Sequence, residues 1–579
     1  MLQPLIAAGD RPIIGLSLSV SGEPAMLSGS YFELLNRHDA IELLDLYFDV
    51  CVATYKPLHR PTVQSWYETV ASNATAGRPL QEGVGHARLA TLFGVFAVAT
   101  FHRQKSRGFA DDEASLAECD SLFQESTRLT DAEVGLPQLE SAQARLVQVF
   151  YLLMTCRMNR AWYIFGTLLQ IISALGMHRR DRKGRSDLSS QDYVYKQCRK
   201  RTFWTAYILD KYLGVVMGRP RHFHDDDLDQ DYPDRVNDSD MSIDGCTSDD
   251  DSNDCAIDAF VCNIKLSRIV GRISHELYSI KSKSGTQRRD ATLRLGGELE
   301  TWHGNLPPFL STIKPSTLIR SFRRQAIALK VAYCHAVMHL YRPFLLHHSA
   351  SQSYPGDGTL RTNAIRHCIM AAQEALRTVD SIAKEGPIFH AFWWTHYVTF
   401  CALAVVYVWK IQQEKHLDEI PGIVQDRLFE LAERCHVHLG QATAMNSPSR
   451  RYSVILEELR VEARAGNSAV SDTQSNQVSL QQDVDLRQNE IHCALGEPNT
   501  MGQLIGSTTG DNLAAPFGDS FVHWQPSDWL DLDAFHLTKA SIRLETHWLR
   551  KLVAKFYAKA KQDLELIFDE DQKHLQSAE

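Results

Sequence analysis

From about Tyr31 to Ala465, apolar positions recur every three or four residues, the spacing that lines up one face of an α-helix. In Tyr31 to Thr54 the face is made by Leu34, Leu35, Ile41, Leu44, Tyr47, Val50 and Cys51. Ala87 to His102 predicts a second, strongly apolar helix. Gln143 to Thr155 and Ala161 to Met177 read as a helical pair. The second member is apolar almost all round, which predicts a central position. Helices are further predicted over Gln197 to Met217, Ile319 to Tyr341, Asn363 to Ile382, 391–411 and Gln425 to Ala444. Alternating runs bounded by Asn-Gly or Asp-Gly, the mark of hairpin strands, are missing. The predicted fold class is all-α.

Two helix ends can be read directly. After Met217, Gly218 stands where a left-handed residue closes a helix, and Pro220 prevents continuation. Arg219 and Arg221 suit the negative end of that helix. The helix through Leu340 should stop before Pro343, because a proline disfavours helical angles in the residue before it.

Composition adds boundaries. The chain has 579 residues, 44% of them hydrophobic and 23% charged, ordinary for a soluble protein. Its net charge of −9 is uneven: Asp225 to Asp258 holds fourteen aspartates and one basic residue, Arg235. The remainder is only mildly positive, which excludes a strongly basic nucleic-acid domain. Twelve scattered cysteines with no C-x-x-C predict reduced thiols. No basic region precedes the short N-terminal apolar run, so no signal peptide is expected. Ala391 to Trp409 is nineteen residues without a formal charge, long enough to span a bilayer. Thr395, His396 and Thr399 among bulky and small residues instead predict a helix buried in a bundle, and no membrane partner. The expected organisation is an N-terminal extension over 1–29 and a helical domain over 30–465 with an Asp-rich insertion at 237–256. A polar, disordered linker over 466–520 and a tail over 521–579 follow. The tail carries a basic amphipathic helix near Ile542 to Ala560.

The most chemically suggestive stretch is MGRPRHFHDDDLDQDYP, Met217 to Pro233. Asp225, Asp226 and Asp229 spell D-D-x-x-D, with which isoprenoid synthases hold magnesium against a diphosphate. Those enzymes carry the motif on a helix and add a second metal motif. Here the acids follow a helix terminator, and Asn237-Asp238 is followed by Met241 and Gly245 instead of the second motif's ligands. His222 and His224 could serve zinc only with further ligands from elsewhere. No phosphate loop, dinucleotide fingerprint or nucleophile elbow occurs. The sequence reading is therefore of a non-enzyme without catalytic, cofactor or metal residues, with the magnesium enzyme as the alternative.

Two basic runs stand out. His178 to Arg185 (HRRDRKGR) reads either as a nuclear-import or phosphate-contacting patch or as a solvated loop. Arg199, Lys200 and Arg201 are expected on the exposed face of their helix. In the tail, Trp524, Trp529, Leu530, Leu532 and Phe535 alternate with acids, as in segments that offer solvated aromatics to a coactivator groove. A strap packed on the domain is the alternative.

Four blocks, in order, resemble the regulatory middle region of fungal binuclear zinc-cluster transcription factors. AIELLDLYFDVCVATYKPLHRPTVQSWYE (Ala40 to Glu68) is similar to its opening. SAQARLVQVFYLLMTCRMNRAWYIFGTLLQIISALGMHRR (Ser141 to Arg180) is similar to its central helices. RKRTFWTAYILDKYLGVVMGRPRHFHDDDLDQDYP (Arg199 to Pro233) resembles its signature, matched here by Arg201, Phe203, Trp204, Asp210, Gly218, Arg219, Pro220, Asp225, Asp227 and Pro233. HLYRPFLL, with Arg342 and Pro343, resembles its Arg-Pro-Phe helix end. The resemblance implies an all-helical regulatory domain of a nuclear transcription factor, contacting coactivators or other regulators and open to a small-molecule effector and to homodimerisation. Such factors read DNA through six cysteines around two zinc ions, which this sequence lacks. Zinc and promoter DNA are therefore expected only through a module or partner outside it. Control of a secondary-metabolite gene cluster is the pathway considered.

Overall fold

The computed structural model describes residues 37–108, 113–180, 192–246, 254–279, 284–345, 357–386, 392–416, 425–442 and 456–464. The 1–29 extension, the 466–520 linker, the tail aromatics and the 542–560 helix lie outside them. The described chain is all-α, and its only β feature is an isolated bridge between Met241 and Cys246.

The first group of helices is α1 (Arg37–Leu46), α2 (Arg60–Thr75), α3 (His86–Ser106), α4 (Glu113–Asp131), α5 (Leu139–Met154) and α6 (Met158–Ala174). α1 runs into a π-helical turn, Tyr47–Cys51. α3 and α5 form the centre of this group. They approach so closely at Gly94 that a β-carbon there would lie 2.9 Å from Val147 Cγ1. α5 turns into α6 through Cys156, which holds a φ of 59°, unfavourable for a side-chain-bearing residue. The next residue fixes the turn. Arg157 is buried in a two-pronged ion pair with Asp120 at 2.5 and 2.7 Å, and Asp120 also accepts the Tyr151 hydroxyl at 2.7 Å.

The second group follows α7 (Tyr193–Met217): α8 (Ala256–Leu277), α9 (Gly285–Gly304), α10 (Arg320–Tyr341), α11 (Asp357–Glu385), α12 (Trp393–His416) and α13 (Gln425–Ala442). α10 packs on α8, α9, α11 and α12 and also on the π-helical turn, so it joins the two groups. One apolar core runs from Ala40 to Ala463.

Two expectations are corrected. α6 is peripheral: it buries only Ala161, Phe165, Leu168, Leu169 and Ile172, and leaves Tyr163 72% exposed. It packs on the outside of α5, so an all-apolar sequence here marks a half-open face. The central helix is α7, where nearly every residue from Gln197 to Met217 is buried. α12 is the buried bundle helix expected at 391–411, and among the described residues no helix is long and apolar enough to cross a membrane. The eleven described cysteines are all free thiols.

Candidate functional site

The signature residues gather on α7 and the loop it feeds. Asp192 caps the helix by accepting the Tyr195 N–H at 2.6 Å. The basic triplet that follows is not an exposed face, contrary to the sequence expectation. Arg199 donates to the carbonyls of Leu175 and Gly176 at 3.0 and 2.8 Å, satisfying the free end of α6. Lys200 pairs with Asp234 at 2.8 Å. Arg201 is fully buried, donating to Asp238 at 2.5 Å and to the Val236 carbonyl at 3.0 Å. Asp238 in turn accepts the Arg60 N–H at 2.9 Å, and its carbonyl meets His59 Nε2 at 2.9 Å. Burial alone would raise the Asp238 carboxyl, but adjacent Arg201 and the Arg60 N–H hold it below the usual carboxylate range. The border of the acid-rich stretch is thereby stapled to the start of α2.

The aromatic pair points into the same loop. Trp204 donates its indole N–H to the Asp231 carbonyl at 2.9 Å and lies 5.1 Å from the Tyr232 ring. Phe203 meets Phe223 edge-on at 5.3 Å. Asp210, buried on α7, accepts the backbone N–H groups of His222 and Phe223 at 2.7 and 3.1 Å and Lys211 Nζ at 3.1 Å. Lys211 also donates to the Phe223 carbonyl. These two neighbours clamp the chain as it folds back over the helix end.

That reversal needs Gly218, whose φ of 60° and ψ of 24° are left-handed. Gly218→Val should therefore lower stability by about 1–2 kcal/mol, measured as a shift in the melting midpoint, whereas Gly218→Asn should cost less. Pro220 ends the helix as expected. Arg219 lies 4.9 Å over Trp162 and donates to Asn159 at 2.9 Å, and Arg221 donates to the Gly271 carbonyl at 2.8 Å. The Gly-Arg-Pro-Arg run therefore links α7 to both α6 and α8.

Asp225 to Asp227 form a single 3-10 turn beyond the helix. Asp225 accepts the Tyr207 hydroxyl at 2.5 Å and faces Arg268 at 3.5 Å. Asp229 accepts the Arg180 N–H at 2.8 Å. Asp226 and Asp227 are exposed, and Pro233 is buried. The Asp225, Asp226 and Asp229 carboxylates do not converge on one ion position. Among the described residues the group that does is His38, Asp39 and Glu42, on α1. The His222 ring lies 3.4 Å from Ser173 Oγ, and neither His222 nor His224 joins a metal-holding group. Asp225 ties this loop to α7 and α8, and Asp229 ties it to the segment after α6.

Arg342 and Pro343 form a second, buried node in the 3-10 turn that closes α10. Arg342 donates to the Tyr278 hydroxyl at 3.0 Å and to His339 Nδ1 at 3.2 Å. Because a guanidinium only donates, the His339 Nδ1 must accept, which puts the ring proton on Nε2, 3.0 Å from Ser274 Oγ. Tyr278 donates to the His339 carbonyl at 2.7 Å, and the two rings stack at 4.3 Å.

One site was not foreseen. A cavity of about 50 Å³ lies where the 51–55 segment, α5, α7, α8, α10 and the start of α12 meet, and Arg324 lines it. Its guanidinium sits 3.4 Å over the Phe392 ring, and its Nε is enclosed without an acceptor. Behind Phe392, at 5.5 Å between rings, His102 is fully buried with neither ring nitrogen hydrogen-bonded. Spacing carried a signal: Arg324, Ala328, Ala332 and His335 fall at intervals of three and four on one face of α10.

These features define a large helical domain in which the signature side chains act as internal clamps around α7. Residues 44–304 match the family described as the fungal specific transcription factor domain. Activator of stress genes protein 1 of Candida albicans is 25% identical over 310 residues, 49% of this chain and 30% of that protein. Activator of stress genes 1 of Saccharomyces cerevisiae is 23% identical over 376 residues, 63% of this chain and 37% of that protein. Transcriptional activator protein acu-15 of Neurospora crassa is 23% identical over 304 residues, 52% of this chain and 30% of that protein. The chain spans between 30% and 60% of the length of the first curated relatives it matches.

Proposed function

We propose that this chain is the regulatory part of a fungal transcription regulator, acting in the nucleus on RNA polymerase II transcription through protein contacts and without a catalytic step. The observation that carries the reading is the α7 loop. In a region matching the transcription-factor domain, Arg201 pairs with Asp238, and Asp210 holds the backbone N–H groups of His222 and Phe223, so these signature side chains serve as clamps within the domain. Relatives named as activators support an activating role. In this proposal, promoter DNA is reached through a separate zinc-containing module or a partner. A small-molecule effector shifts how the helical domain holds or releases the tail, whose Trp524, Trp529, Leu530, Leu532 and Phe535 engage a coactivator. Homodimerisation and control of a secondary-metabolite gene cluster belong to the same proposal.

Tethering the chain to a heterologous DNA-binding module upstream of a reporter tests this. Activation is expected, with a several-fold fall when Phe521 to Phe535 is deleted. Unchanged activation after that deletion would remove the role given to the tail.

A further inference from the structure

We infer that the cavity beside Arg324 binds a small organic monoanion, a carboxylate of about three to six non-hydrogen atoms, with Arg324 as its anchor. The inference rests on the effector-responsive reading above for its biological role, though not for its chemistry.

The first argument is an unmatched cation. Among the described residues no carboxylate or carbonyl accepts from Arg324, and the contact that holds it is the face of Phe392. A ring beneath the guanidinium engages its π surface and leaves the in-plane N–H donors free. Those donors are the fork that a carboxylate fits with two parallel bonds. Burial brings the guanidinium down only to about 10, so it stays charged at neutral pH. Arg324 is half-buried with its Nε enclosed, and an anion entering the cavity supplies the counter-ion that the surrounding described residues do not.

The second argument concerns size and charge. A cavity of about 50 Å³ holds roughly three to five waters, or one anion of comparable bulk. Tyr55, Phe150, Met154, Tyr212, Ala328 and Trp394 supply apolar surface for a short carbon chain. Thr54, Asn263 and Thr395 are the polar lining, and none carries charge. Behind Phe392, His102 adds no charge, because burial and Arg324 together push it down to about 3. One cation in an otherwise neutral cavity selects a single negative charge.

The third is position. The lining comes from the 51–55 segment and α5 on one side and from α8, α10 and the start of α12 on the other, with Tyr212 of α7 between them. Tyr212 stacks on Trp394 at 4.3 Å and donates to Asn263 at 2.7 Å. An occupant therefore touches both helical groups and the helix that holds the signature loop.

The test uses the full chain, melted in increasing sodium propionate, with propionamide as the neutral isostere and sodium chloride at matched ionic strength. Propionate should raise the melting midpoint saturably, while propionamide and chloride should not. Arg324→Gln should weaken propionate binding by about 10- to 100-fold, the loss of a charged hydrogen-bonded contact. Ala328→Leu, which fills the cavity but keeps the arginine, should weaken it as well and stands in if the first variant does not fold. Equal shifts from propionamide and propionate, no saturable shift, or undiminished binding by both variants would each overturn the site. Tethered reporter activation without added carboxylate separates the two ideas. Intact activation with no propionate binding removes the site alone, whereas binding without activation removes the activator reading alone.

Discussion

Lowering the pH from 7 to 5 should destabilise the folded chain by on the order of 4 kcal/mol through two histidines, His102 and His335. Both are buried with neither ring nitrogen hydrogen-bonded. Burial, reinforced by Arg324 beside His102 and Arg342 beside His335, brings each ring down to about 3. The unfolded chain takes up these protons near pH 6.5, while the folded chain refuses them until about pH 3. The stabilisation is therefore fully present above pH 6.5 and is lost progressively as the pH falls towards 3. Each ring contributes about 2 kcal/mol of that loss by pH 5. His339, lowered by burial and by Arg342, acts in the same direction. Urea midpoints at the two pH values measure the effect, and His102→Leu should flatten the dependence by about half. A midpoint independent of pH across this window would show that the rings are not held neutral.

Asp210→Ala should cost about 3–5 kcal/mol, the range for removing one partner of a buried ion pair. Lys211 would be left buried without its carboxylate, and the N–H groups of His222 and Phe223 would lose their acceptor. Asp210→Asn should be milder because an amide oxygen still accepts one N–H, though it offers no charge to Lys211. Denaturant midpoints give the energy. Hydrogen exchange locates it: the amides of His222 and Phe223 should lose protection while those of α3 keep theirs. Unchanged exchange at these two amides would mean that the loop is held by its aromatic contacts alone.

The fold was legible wherever apolar spacing and burial coincide. α3, α5, α10 and α13 fall within a few residues of their expected limits, because α3 and α5 are buried nearly all round and α10 and α13 turn one apolar face to the core. The end of α7 at Gly218 was legible because left-handed geometry restricts residue choice. α4 and α9 were not foreseen. α9 buries Thr292 and Gly296 among its inward positions, which dilutes the period, and α4 has many polar residues between Leu116, Cys119, Leu122 and Phe123. α8 did carry a readable period in Ile257, Phe260, Ile264, Val270, Ile273 and Leu277, next to an acid-rich stretch that drew the reading towards solvent. At the candidate site, the residues that carry the resemblance lie on α7, in the loop it feeds and in the turn closing α10, whereas the D-D-x-x-D spacing alone left a magnesium site as the alternative. An aspartate that ligates a metal and one that caps two backbone N–H groups look identical in a sequence. Arg201 was misplaced because its counter-charge, Asp238, lies 37 residues away. The Arg324 cavity draws its walls from residues between Cys51 and Thr395, a convergence that no local pattern records.

Gln325, next to Arg324 on α10, donates to the Ala53 carbonyl at 3.1 Å and to the Ala256 carbonyl at 3.0 Å. The first of these bonds closes a loop of 272 residues. On a ribosome, about 15 to 55 seconds must pass between the emergence of one partner and the other. Throughout that interval the π-helical turn waits without the helix that will pack on it. The domain therefore closes late in its own synthesis, once α10 has emerged to pack on that turn.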